Sequence, residues 1–270
     1  MKLRESVSRW VAIIGIAAFG LLWFTEPTFS SDKVWDELIR STLYHAVGSI
    51  IFLALTVYLG FRLWHKPQKA FLLTFLPSLL VVVNNFPIIA LANGEATVTR
   101  IDMLPLFLID CFLIGVFEEL AFRGTLFVAI LEKRRNTRRQ IFWTTVISSA
   151  LFGLIHLANL FEGADPIATI MQIGYSFLIG GMCAIVFLKS RNLVFPILLH
   201  GIFDVGGRLI ETLGEGRIWN LPTVVITAVL GVAVTAWMLW QLLRIDPSAT
   251  DSFYPIKTAE ESETDEHSEI

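Results

Sequence analysis

Apolar residues run along this chain in long unbroken stretches divided by short polar segments, without the alternation of a half-buried strand or the single stripe of a surface helix. A helix needs about 20 apolar residues to cross a hydrocarbon core of ~30 Å. On that scale the pattern predicts spans near 9–24, 41–64, 69–92, 102–131, 140–161, 166–188, 192–212 and 221–243. The fold class that follows is all-α, a polytopic membrane protein of about eight transmembrane helices. The first span is short and the fourth long. Prolines at 77, 87, 105 and 196 lie within or near the runs and predict kinks. The basic start and the apolar run Val11 to Phe24 resemble a signal peptide, but no small-x-small site follows. The segment is read as an uncleaved first span.

The runs divide the chain into three N-terminal helices over 1–100, a core over 101–212, a final helix over 213–245 and an acidic tail over 246–270. The tail holds Glu260, Glu261, Glu263, Asp265, Glu266 and Glu269 with little that is apolar, so it is expected to be disordered.

Composition agrees with the pattern. The chain is 54% hydrophobic and 17% charged, too apolar for a soluble domain of its length, and the lipid bilayer is the expected partner. A net charge of -3 says little by itself, and no nucleic-acid partner is expected. The distribution of basic residues says more. Fifteen Lys and Arg fall at the N-terminus, at 62–69, 133–139 and 189–191, and at Arg244 and Lys257, against five in the alternate loops, Arg208 among them. By the positive-inside rule, both termini are predicted cytoplasmic. Cys111 and Cys183 lie in apolar runs and receive no role.

Ionisable groups inside a membrane are costly and mark function by default. Glu118, Glu119 and Arg123 fall in the fourth run, His156 in the fifth, and His200 and Asp204 in the seventh. Glu119 and Arg123 stand at i, i+4 and can pair, which leaves Glu118 free to face water or substrate. On a regular helix the two glutamates diverge by ~100°, so different tasks are expected of them. His200 and Asp204 are also at i, i+4, so Asp204 can accept from one imidazole nitrogen and fix the tautomer. A buried ion-pair network that only fixes helix packing is the alternative for the set. Asp110, Asn84, Asn85, Asn159 and His45 are read as single polar residues that serve packing.

These residues make up three motifs: Glu118-Glu119-Leu120-Ala121-Phe122-Arg123 fits EExxxR, Phe152-Gly153-Leu154-Ile155-His156 fits FxxxH, and His200-Gly201-Ile202-Phe203-Asp204 fits HxxxN/D. In this order, with Arg191 to His200 leading into the third, the chain resembles the CPBP family of CAAX proteases and bacteriocin-processing enzymes, the CAAX prenyl protease or abortive-infection type, over roughly 105–210. The resemblance implies a helical intramembrane endopeptidase that acts on a membrane-associated or lipidated peptide substrate. It implies that Glu118 acts as general base helped by His156, that Glu119 and Arg123 orient Glu118, and that His200 polarises the scissile carbonyl. Asp204 stands where many members have Asn. It is protonated, or only orients His200, or joins His156, His200 and Glu118 as a ligand of zinc or another divalent metal. No HExxH is present, and the metal and metal-free mechanisms both stay open.

Two other classes compete. A non-catalytic immunity or partner-binding protein would keep the helical frame but lose motif residues, and none is lost. A proton-coupled transporter would relay protons through intramembrane Glu and His, yet here they cluster in one segment that no second half repeats.

Overall fold

The computed structural model describes residues 27–161 and 163–254. The predicted span 9–24 and the acidic residues from 255 onward lie outside the described residues.

The first described helix, α1 (Lys33–Tyr58), begins eight residues before the predicted span. Its start is polar, and capping explains it. Asp32 accepts from the backbone N–H of Val34 and Trp35. One turn on, Asp36 accepts from the N–H of Phe29 and pairs with Arg40 at 2.6 Å. The apolar run counted as 69–92 is divided into α2 (Leu72–Asn84) and α3 (Ile88–Ala92). Pro87 disfavours helix in the residue before it and has no N–H to continue the ladder.

The long fourth run becomes α4 (Leu104–Glu119), a π-helical segment over Leu120–Phe127, and α5 (Val128–Glu132). Next comes α6 (Arg138–Leu154), opened by a capping box between Thr137 and Gln140 and closed by a 3-10 segment over Ile155–Leu160. It is followed by α7 (Pro166–Ser190), α8 (Val194–Leu213) and α9 (Leu221–Leu243). A two-stranded antiparallel clasp, β1 (Ala96–Val98) with β2 (Gly214–Gly216), is the departure from an all-α architecture.

Four described helices are long and apolar enough to cross a membrane: Lys33–Tyr58, Arg138–Leu160, Pro166–Ser190 and Leu221–Leu243. The chain is thus a helical integral membrane protein, but about eight clean spans are not what the described residues present. The 69–92 run is broken, the 102–131 run changes helix type midway, and α8 carries Asp204, Arg208 and Glu211.

Helix α4 packs against α1 and α8, and α6 against α7. Small residues permit the closest crossings. A methyl on Gly115 of α4 would stand 2.9 Å from the backbone nitrogen of Gly201 on α8, and one on Gly153 of α6 would stand 2.8 Å from the Ile173 carbonyl of α7. The core between the helices buries Phe127, Ile141, Phe187 and Leu193 completely.

Loops alternate between two ends. At one end, the basic segments meet: His65 donates its N–H to the Arg191 carbonyl, Arg138 donates to the Ile245 carbonyl, and Arg135 pairs with Asp251 at 3.2 Å. The opposite end holds the β-clasp, the Arg100–Asp32 pair and the Asn220–Glu95 hydrogen bond. The expectation of a disordered tail from 246 is corrected for its first nine residues. A 3-10 turn over Pro247–Phe253 buries Phe253 fully, with its ring 4.7 Å from that of Phe187, and Tyr254 donates its hydroxyl to the Val128 carbonyl at 2.8 Å. Two aromatic rings give this short stretch enough apolar surface to offset its ordering.

Candidate active site

Glu118 and Glu119 close the regular part of α4, and Arg123 lies in the π-helical segment that follows. Segments of this kind widen the turn and concentrate at functional sites. Arg123 donates from Nη1 to Glu119 Oε1 at 2.8 Å, and both side chains are buried, 1% and 0% exposed. The expected pairing is thus present, though the helix carrying it is not regular.

The close crossing at Gly115 and Gly201 brings His200 of α8 against this pair. Its Nδ1 lies 2.8 Å from the same Glu119 Oε1 that receives Arg123. Its Nε2 faces Glu118 Oε2 at 3.4 Å and Asp204 Oδ2 at 3.8 Å. The two glutamates therefore address opposite nitrogens of one imidazole, which is what their angular offset allows. Of the two acids expected to touch this ring or its neighbours, Glu119 lies nearer, at 2.8 Å from Nδ1, and it meets Arg123 and His200 together. The Asp204 oxygen nearest the ring has no protein hydrogen-bond partner. Glu118 keeps 22% of its side chain exposed, against none for Glu119.

His156 joins the group through Phe152. Both imidazoles meet the Phe152 ring edge-on, with centroids 5.6 Å away for His156 and 5.7 Å for His200. The Arg123 guanidinium lies over the face of the same ring at 4.3 Å. The hydrogen bond of His156 Nδ1 runs to the Phe152 carbonyl at 3.1 Å, within its own segment.

Sequence reasoning missed one contributor here, Gly180 of α7. A methyl there would stand 2.9 Å from both Arg123 Nη2 and Phe152 Cδ1, so only glycine lets the two stack at this depth. The pair Gly180-Gly181 inside an apolar run was the available signal.

Among the described residues, no three His, Cys, Asp or Glu side chains are placed to hold an ion. His200 Nδ1 is engaged by Glu119, and His156 is turned to its own backbone. The expected ligands His156, His200, Glu118 and Asp204 do not fit a closed metal site as they stand among the described residues.

A second polar cluster revises the reading of Asp110 and His45 as isolated residues. Asp110 is fully buried, accepts from Ser41 Oγ at 2.6 Å, and pairs with Arg208 at 2.9 Å. Arg208 was counted with the loops and in fact lies in α8. Ser41, His45 and Asp110 are not a nucleophilic triad. Ser41 gives its proton to the aspartate, and His45 Nδ1 bonds the Ser41 carbonyl at 2.8 Å.

The fold and the site define a helical membrane protein with a buried carboxylate, arginine and histidine on crossing helices beside a second, partly exposed carboxylate. Residues 100–206, which carry all three motifs, match the family model of Rce1-like type II CAAX prenyl endopeptidases, and the resemblance drawn from the motifs holds over that stretch. No curated protein and no solved structure matches the chain.

Proposed function

We propose that this chain is an intramembrane endopeptidase that hydrolyses a peptide bond in a membrane-associated or lipidated peptide, with its basic loops and both termini on the cytoplasmic side. The observation that carries the reading is the one imidazole held between two adjacent carboxylates, one neutralised by a buried Arg and the other partly exposed. With His200 protonated, Glu118, Glu119, Arg123 and His200 sum to zero charge, which suits a low-dielectric site.

In the mechanism, Glu118 Oε2 takes a proton from water, and the water oxygen attacks the scissile carbonyl carbon. His200 Nε2–H donates to the oxygen as it becomes negative. Glu119 holds the other ring nitrogen, and Arg123 fixes Glu119. On collapse, the C–N bond breaks and Glu118 returns its proton to the leaving amine. His156, steered by Phe152, assists in placing the water, and Asp204 orients the Nε2 side of His200.

Cleavage of a farnesylated peptide ending in a CAAX sequence, by protein reconstituted in liposomes, tests the reading. Absence of any new terminus, both with that peptide and in the membrane proteome compared with a Glu118→Gln strain, would overturn it.

A further inference from the structure

Cys183 of α7 is a buried thiol that the mechanism leaves unused. It has no exposed surface, and it follows Gly180 at the i, i+3 spacing that puts two residues on one helix face. That face is turned to the site: a methyl on Gly180 would stand 2.9 Å from Arg123 Nη2. Among charged groups, Glu119 acts on the Cys183 thiol ahead of Arg123 and Asp204, and its carboxylate is within side-chain hydrogen-bonding reach of the sulfur.

Glu119 is also the member of the site that lacks a donor. Its Oε1 receives both Arg123 and His200 at 2.8 Å, while Oε2 is buried without a hydrogen-bond partner among the described residues. An unfilled acceptor is costly at this depth. A thiol in apolar surroundings is a poor nucleophile, and what it retains there is a weak S–H donor.

We propose that Cys183 is a positioning residue of the hydrolysis, its S–H donating to Glu119 Oε2 so that each oxygen of the carboxylate is held by a donor. The effect reaches the reaction through His200. A carboxylate bonded on both oxygens competes less for a neighbour's proton, so the proton stays on His200 Nδ1. A charged imidazole then donates more strongly from Nε2 to the developing oxyanion. This use of the bond rests on the endopeptidase reading. The bond itself does not.

The test uses the full chain in liposomes and infrared spectroscopy of the S–H stretch. The chain has two cysteines, so subtracting the spectrum of Cys183→Ala from that of the parent leaves the Cys183 band. Where Cys183→Ala fails to insert, Cys183→Ser serves the subtraction. The band is expected below that of an alkanethiol in hydrocarbon, and should rise toward it in Glu119→Gln, whose neutral amide is a weaker acceptor. A band at the free-thiol position, or one that Glu119→Gln leaves in place, would overturn the proposal. In turnover, Cys183→Ala should lower kcat about fivefold with KM unchanged, the worth of one hydrogen bond, and Cys183→Ser should restore most of it by keeping a donor. Packing alone predicts the reverse order, since it places an unpartnered hydroxyl in an apolar core. Parent turnover in Cys183→Ala, or a lower kcat in Cys183→Ser than in Cys183→Ala, would also overturn it. Should Glu119→Gln fail to insert, the band position and the order of the two Cys183 variants decide. A parent chain that cleaves nothing would sink the endopeptidase reading and leave the infrared result standing.

Discussion

Two carboxylate–arginine pairs among the described residues draw their carboxylate from α4 and have nearly equal lengths: Arg123 to Glu119 at 2.8 Å, within one helical run, and Arg208 to Asp110 at 2.9 Å, from α8 to α4 with the arginine partly exposed. They differ in what is left over. Asp110 has a donor on each oxygen. Glu119 receives Arg123 and His200 on one oxygen and has no protein hydrogen bond on the other, while Arg123 leaves Nε and Nη2 without partners. The first arrangement is saturated and suits a tether. The second keeps spare valence beside a partly exposed carboxylate, and there charge can be moved. A buried ion pair is thus judged by its unfilled positions rather than by its length.

The sharpest way to break the comparison is Glu118→Gln. Glutamine keeps the shape but cannot accept a proton, so cleavage should drop by at least ~10²-fold, into the range lost with a general base, while insertion and thermal midpoint stay at wild type. Near-normal cleavage would remove Glu118 from its role. Glu119→Gln should act differently, because it leaves Arg123 buried and unpaired at a cost of ~3–5 kcal/mol. Folded yield should fall, and the remaining protein should show reduced turnover. A well-folded but inactive Glu119→Gln would mean that the two glutamates exchange roles.

Gly180→Ala sharpens the comparison from the packing side. The added methyl displaces Arg123 and Phe152, with an overpacking cost of ~1–3 kcal/mol. Turnover should fall more than KM rises, and an unchanged kcat would show that the stack on Phe152 does not position the site. On the saturated pair, Ser41→Ala takes the donor from Asp110 Oδ1 and should cost ~1–3 kcal/mol in a thermal melt. The smallest effect belongs to a third pair, Asp32 with Arg100, at the rim outside the membrane. The Trp35 backbone N–H, and then the Arg100 guanidinium, hold the Asp32 carboxyl below its ordinary value of 3.8. Its contribution to stability is present above that ordinary value and is lost as pH falls through the lowered one. The acid limb of a pH-melting curve should therefore flatten in Asp32→Asn.

Much of this was legible before the structure. Four apolar runs became helices within a few residues of their expected ends, and the three motifs named the carboxylates, arginine and histidines that meet or share Phe152. What escaped was decided by side chains acting on the backbone or across helices. Asp32 and Asp36 draw α1 outward through polar residues that a hydropathy window discounts. Pro87 cuts an apolar run that composition alone joins. The choice of Glu119 over Asp204 as partner of His200 Nδ1 depends on how α4 crosses α8 at Gly115, a contact between residues distant in sequence. Phe253 and Tyr254 were overlooked inside a segment whose average character is acidic.

The π-helical stretch from Leu120 to Phe127 has a bearing on how relatives should be compared. A widened turn accommodates extra chain without lengthening the rod in proportion, so it behaves as a tolerated insertion between Glu119 and the basic end. Everything after it is rotated relative to a straight α-helix through Glu118. A gap-free comparison with a homologue lacking the widened turn would therefore match lipid-facing positions of one protein to inward-facing positions of the other. Any drop in similarity that such a comparison produced beyond Arg123 would be an error of phase, curable by a single gap placed inside the motif's own helix.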